Sequence, residues 1–136
     1  GRLEVVGQAP FVVLDGAHNM MAARNLAKFL SEDLAGRKIT MVIGILDDKP
    51  YKSMLSSLLP LCHRAIITKP KINRALEPEI LFQKAKTMVN ECTIIEDVKE
   101  AVAYAVETAE PEDAVCVAGS LYVVGEAKAA IDGANQ

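Results

Sequence analysis

The sequence predicts an α/β protein with a mostly parallel sheet of about six strands, helices on both faces, and a first strand that runs antiparallel at an edge. Two observations carry this. Five short apolar runs, several rich in Val and Ile, begin at positions 11, 39, 65, 93 and 114. The stretches between them are long enough for a helix and its loops, which is the rhythm of repeated βα units. The runs are also nearly continuous in apolar residues, as expected of strands covered on both faces and hence of a parallel sheet. The expected architecture is Rossmann-like.

The elements follow in order. Residues 2–6 (Arg2-Leu3-Glu4-Val5-Val6) alternate in part and read as an edge strand. The short link 7–10 permits a hairpin return, so this strand is expected to run antiparallel. The core strands are residues 11–14, 39–45, 65–68, 93–95 and 114–118. After the first of these, Leu26, Leu30 and Leu34 recur every four residues, and Gly36 supplies a stop. Tyr51, Leu55, Leu58 and Leu59 form a second apolar stripe, ended by Pro60. A third helix begins near Pro78, where proline suits a first turn, with Leu81, Ala85 and Met88 facing inward. Asp97 followed by Glu100 has the spacing of a capping box for a fourth helix, whose inward face is Ala101, Val102, Ala105 and Val106. Residues 121–131 read as a terminal helix despite Gly125. No linker or low-complexity tract divides the chain, so residues 1–136 are expected to form one domain.

Composition narrows the function classes. The formal net charge of −3 supplies no footprint for nucleic acid. The one basic cluster, Lys69, Lys71 and Arg74, is short and reads as a local anion or substrate contact, or as a solvated loop. The three cysteines, Cys62, Cys92 and Cys116, match no metal spacing, and their odd number argues against a disulfide framework. A reducing cytoplasm is the natural setting. No run of about 18 apolar residues exists for a membrane span, and the first residues do not form a signal peptide.

In open α/β sheets ligands bind beyond the carboxyl ends of the strands. There the sequence places Asp15, Gly16, His18 and Asn19, then Gly44, Asp47, Asp48 and Lys49, then Thr68, Lys69, Pro70 and Arg74, and finally Gly119 and Ser120. The opposite strand ends show no comparable set. Asp15 suits ribose hydroxyls or a cation, and His18 suits a phosphate or a reacting carboxyl. The plainer alternative is that Asp15 or Asn19 caps the following helix and His18 lies on the surface. Gly119-Ser120 opens the last helix, where free N–H groups favour an anion or Ser120 acts as a simple cap. Asp47-Asp48-Lys49 is a self-neutralising loop, a hinge or a substrate contact. His63 has no partner at ligand spacing, and no G-x-x-x-x-G-K-[ST] phosphate loop occurs.

Several phrases together resemble the folylpolyglutamate synthase/dihydrofolate synthase family of the Mur ligase superfamily, in particular its carboxy-terminal domain. They are Gly1-Arg2-Leu3-Glu4-Val5-Val6, Leu14-Asp15-Gly16-Ala17-His18-Asn19, Gly44-Ile45-Leu46-Asp47-Asp48-Lys49, Thr68-Lys69-Pro70 with Arg74-Ala75, and Gly119-Ser120-Leu121-Tyr122-Val123-Val124-Gly125-Glu126. They fall in the family's order and cover essentially the whole chain. Two positions depart from the pattern: Met20 stands where the family has proline, and Pro50 where it often has an acidic residue.

The resemblance implies an ATP-dependent ligase that activates a folate or dihydropteroate carboxylate as an acyl phosphate and joins it to glutamate. It implies that Arg2, Asp15 and His18 bind ATP, with Asp15 at the ribose and Arg2 and His18 towards the phosphates. His18 is the residue carried over as catalytic. Ser120 and Arg74 would lie near the incoming glutamate, and loop 44–49 would line the same cleft. The family's phosphate loop and its Mg²⁺ ligands belong to an amino-terminal ATPase domain. The chain is therefore expected to be a domain excised from a larger enzyme or half of a split one, monomeric, with that ATPase domain as its partner and no ligase activity alone. Two other readings remain: a Mur-type domain acting on a peptidoglycan precursor, and a non-catalytic α/β ligand-binding module. A dinucleotide-binding domain is disfavoured because no G-x-G-x-x-G follows the first core strand.

Overall fold

Strand β1 (Leu3–Gln8) turns at Ala9-Pro10 into β2 (Phe11–Asp15), and the two pair antiparallel. The chain then alternates: α1 (Met20–Glu32), β3 (Ile39–Ile43), α2 (Tyr51–Leu58), β4 (Arg64–Ile67), α3 (Pro78–Ala85), β5 (Glu91–Ile94), α4 (Val98–Thr108), β6 (Ala114–Ala118) and α5 (Leu121–Ala134). The computed structural model describes residues 3–134. The Arg2 end of the expected first strand lies outside the described residues.

The six strands lie in the order β1-β2-β6-β3-β4-β5, all parallel except β1. The expected α/β sheet with an antiparallel edge strand is therefore what forms. Stepping outward through β3, β4 and β5 with one hand of crossover stacks α1, α2 and α3 on a single face. There Leu26, Leu30, Met54, Leu55, Leu58 and Leu81 pack on Val13, Met41, Ile43, Ile67 and Cys116. The return from β5 to the middle of the sheet carries α4 and then α5 to the other face. On that face Val98, Val102, Ala105, Val123 and Ala127 cover Leu14, Val42, Ile66 and Val117. Strands β2, β3 and β6 lie between the two layers and are apolar on both sides. The edge strand β5 alternates between exposed and partly buried positions, because Cys92 and Ile94 pack on one core layer while Glu91 and Thr93 point to the opposite face.

Local chemistry sets three of the helix starts. Asn19 caps α1 by accepting the Ala22 N–H at 2.8 Å, and Asp97 caps α4 by accepting the Glu100 N–H at 3.0 Å. Pro78 occupies the first turn of α3, where it has no N–H to leave unpaired.

Three sequence expectations need correction. The second core run ends as a strand at Ile43 because Ile45 and Leu46 leave the ladder to pair with residues 75–76 of another loop. Leu34 belongs to the turn after α1, though it is buried. Gly36, at φ 85°, serves that turn and does not stop the helix directly. Pro60 sits inside a 3-10 turn, Leu59–Leu61, after α2 has already ended at Leu58.

The cysteines are packing residues. Burial pushes the Cys62 thiol up to about 12 and the Cys92 thiol to about 11, and it raises the fully buried Cys116 well above the ordinary thiol value. Alkylation of the folded protein at pH 8 should therefore run at least about a hundredfold slower than that of the denatured chain. Equal rates in a thiol-titration time course would contradict this.

Candidate functional site

The carboxyl ends of the parallel strands form one level row. Asp15, the last residue of β2, pairs with Ala118 of β6, Ala118 with Ile43 of β3, and Ile43 with Ile67 of β4. The next residues along the chain are Gly16, Gly119, Gly44 and Thr68, so four loops leave the sheet from a single line. Strand β6 sends its helix to one face while its neighbours β2 and β3 send theirs to the other. The chain parts above β6, and such a divergence is where sheets of this kind bind ligands.

Two glycines let the loops meet there. Gly119 has a φ of 111°, which side chains rarely adopt, and a Cβ on it would strike the Gly44 carbonyl oxygen. A Cβ on Gly44 would lie 2.7 Å from the Thr68 carbonyl oxygen and 3.1 Å from Pro70 Cδ. The loops after β3, β4 and β6 therefore pass backbone against backbone.

Asp15 is 7% exposed, and one of its carboxylate oxygens accepts the Ala17 N–H at 2.9 Å. Among the described residues nothing donates to the other oxygen. Burial pushes this carboxyl above its ordinary range, partly opposed by the Ala17 hydrogen bond. Ala17 is fully buried and faces the core rather than the crevice. His18 is half-buried, with Nδ1 2.8 Å from the Gly16 carbonyl oxygen. A carbonyl only accepts, so Nδ1 carries the hydrogen and Nε2 is the position left for a ligand. Capping falls to Asn19, and among the described residues Asp15 and His18 each keep one polar atom without a partner.

Ser120 is 1% exposed, and its Oγ accepts the Val123 N–H at 3.0 Å. It is thus the cap of α5, and its hydroxyl hydrogen and second lone pair remain for another group. Arg74 is exposed and holds Asp48 at 3.0 Å. Its carbonyl accepts the Asp47 N–H at 2.7 Å, and the Leu76 N–H bonds Ile45 O at 2.9 Å, so loops 44–49 and 74–76 are zipped together. The Arg2 position lies outside the described residues.

The basic cluster is neutralised from within. Lys69 holds Glu77 at 2.8 Å, Lys71 holds Asp97 at 2.9 Å, and Arg74 holds Asp48. Solvent screens each of these pairs, so they orient loops more than they stabilise the fold. His63 stands apart from the row at the start of β4, and no group of three or more His, Cys, Asp or Glu among the described residues is placed to hold a metal ion. One residue of the last motif had no role assigned from sequence. Glu126 of α5 accepts the Lys71 N–H at 2.6 Å. Its sequence signals were its place at the end of the Gly119–Glu126 phrase and a lone carboxylate in an otherwise apolar stretch.

The family model of the Mur ligase glutamate ligase domain matches residues 1–121. The chain belongs to that family. Among relatives of this glutamate ligase domain, a probable bifunctional folylpolyglutamate synthase/dihydropteroate synthase of Haloferax volcanii is 37% identical over 132 residues, covering 94% of this chain and 15% of the relative. A dihydrofolate synthase/folylpolyglutamate synthase of Bacillus subtilis is 29% identical over 126 residues, covering 93% of this chain and 29% of the relative. A solved structure of E. coli FolC in complex with DHPP and ADP superposes with a TM-score of 0.92 at 26% identity, over 100% of this chain and 32% of that one. The bifunctional folylpolyglutamate synthase/dihydrofolate synthase of Yersinia pestis, complexed with AMPPNP and Mn ion, gives 0.85 at 28% identity, over 97% and 31%. The chain spans less than a third of each of these relatives.

Proposed function

We propose that this domain forms one wall of the ATP and substrate crevice in an ATP-dependent ligase that adds glutamate to folate or dihydropteroate by way of an acyl phosphate. The row of Asp15, Gly119-Ser120 and Gly44 at the point where the chain parts above β6 carries this reading, together with relatives named for that reaction. Asp15 fits a nucleotide ribose, because its uncommitted carboxylate oxygen is held at the crevice by the Ala17 hydrogen bond. His18 fits a phosphate or the reacting carboxyl through Nε2 and is the residue assigned to the chemistry, with Arg2 assigned to the phosphates. Ser120 and Arg74 are assigned to the incoming glutamate. Mg²⁺, which would neutralise charge on the transferring phosphoryl group, is assigned mainly to ligands in an amino-terminal ATPase domain. That domain is the proposed partner across the crevice.

The crevice rim supports such a partner. Met21, Leu121 and Tyr122 stand in the first turns of α1 and α5 and are 73%, 61% and 47% exposed. Large apolar side chains at the mouth of a polar crevice suit a surface that another domain covers.

The test is ligation of labelled glutamate by the full-length enzyme, offered dihydropteroate, a reduced folate or a UDP-linked cell-wall acceptor. Incorporation is expected with a folate-type acceptor and ATP, and none is expected from the 136-residue domain alone. Incorporation only with the UDP-linked acceptor would replace the folate reading by the cell-wall one. ATP-dependent ligation by the isolated domain would overturn the crevice-wall reading. Arg74→Ala is expected to raise KM for glutamate while changing stability by less than about 1 kcal/mol, since its ion pair is exposed. An unchanged KM would remove Arg74 from the site.

A further inference from the structure

Glu126 stands out chemically. It is half-buried on α5, its Oε2 accepts the Lys71 backbone N–H at 2.6 Å, and its Oε1 is buried with no partner among the described residues. A carboxylate has room for several donors, and leaving one oxygen dry and unpaired is unfavourable. Such a group is tolerated where its single bond holds something in place.

That bond holds the loop between β4 and α3. The loop leaves the strand row at Thr68, passes Gly44 at Pro70, and is fastened at Lys71 on two sides. The Lys71 N–H goes to Glu126 on α5, and its Nζ goes to Asp97 at the head of α4, at 2.9 Å. Three residues on, Arg74 binds Asp48, and residues 74–76 zip onto loop 44–49. Ser120 caps the start of α5, where its Oγ accepts the Val123 N–H. Ser120 and the anchor of the Arg74 loop are thus parts of one helix.

We infer that Glu126 is a positioning residue: by accepting the Lys71 N–H from α5, it sets the distance between Arg74 and Ser120 across the crevice. The inference rests on the reading that these two residues face the incoming glutamate. It requires reach rather than charge. Glutamine keeps the reach and a carbonyl acceptor, whereas aspartate keeps the charge but is one methylene too short.

The test uses the full-length enzyme with steady-state kinetics in glutamate and in ATP. Glu126→Ala and Glu126→Asp should each raise KM for glutamate about tenfold, the scale of one hydrogen bond to a charged group. KM for ATP and kcat should stay within about twofold, and Glu126→Gln should restore the wild-type value. If Glu126→Ala does not fold, the Asp and Gln variants carry the comparison. Unchanged KM for glutamate in the Asp variant, a Gln variant as impaired as Asp, or equal rises in both KM values would overturn the inference. Failure of the ligase reading shows separately, because the wild-type enzyme would then incorporate no glutamate from any acceptor.

Discussion

Asp15→Asn is expected to raise KM for ATP by roughly 10- to 100-fold, the scale of a hydrogen bond to a charged group, while leaving the fold as stable as before or more so. Asparagine is nearly isosteric and keeps an oxygen for the Ala17 N–H, so the turn that presents the side chain survives. What disappears is a desolvated charge. Burial raises the Asp15 carboxyl above its ordinary 3.8. A carboxyl with a raised folded value contributes stability that is fully present below its unfolded value and lost as pH rises through the folded one. The native domain should therefore lose this contribution between pH 3.8 and the raised value, and the Asn variant should not. Melting curves for both proteins from pH 3 to 7 should diverge in the variant's favour with rising pH. Parallel curves, or a variant clearly less stable at neutral pH, would show that Asp15 is a structural ion and not a retained functional one.

Gly119→Ala is expected to be the most damaging single methyl group in the domain, lowering stability by about 3 kcal/mol or more. Two penalties coincide. The residue holds φ at 111°, and the new Cβ would overlap the Gly44 carbonyl oxygen and crowd Ile43. Neither neighbour can yield, because Gly44 is itself pressed against Thr68 and Pro70. Gly36→Ala is the control. Gly36 also has positive φ, at 85°, but has open space around it, so only the conformational penalty of about 1–2 kcal/mol applies. Denaturant titrations of the two variants separate strain from collision, and equal losses would mean that the backbone crossing at Gly119 is not tight.

Much of this molecule was legible from residue order. Val and Ile runs spaced by amphipathic segments specify strands and helices through short-range packing and propensity. Asn19, Pro78 and Asp97 mark helix starts through bonds to residues two to four positions away, or through a missing N–H. The motif residues expected at the carboxyl ends of the strands stand there in the fold.

Long-range contacts decided the rest. Residue order does not reveal that β6 inserts between β2 and β3, yet this insertion creates the divergence above β6 and brings Gly119 against Gly44. Lys69, Lys71 and Arg74 read as a basic patch until the fold supplies Glu77, Asp97 and Asp48, the last two from distant segments. Ser120 and Asn19 are alike as polar residues before a helix, but only burial shows Ser120 to be enclosed while Asn19 stays on the surface. Glu126 acquires meaning only when Lys71 arrives beside it, 55 positions away in the chain. By itself the sequence determined the elements, their caps and which polar residues stand at the carboxyl ends of the strands, because those depend on neighbours along the chain. The tertiary structure decided which charges are neutralised, which polar atoms remain for a ligand and how the loops are braced. Those depend on desolvation and on partners that meet only once the sheet has closed its order.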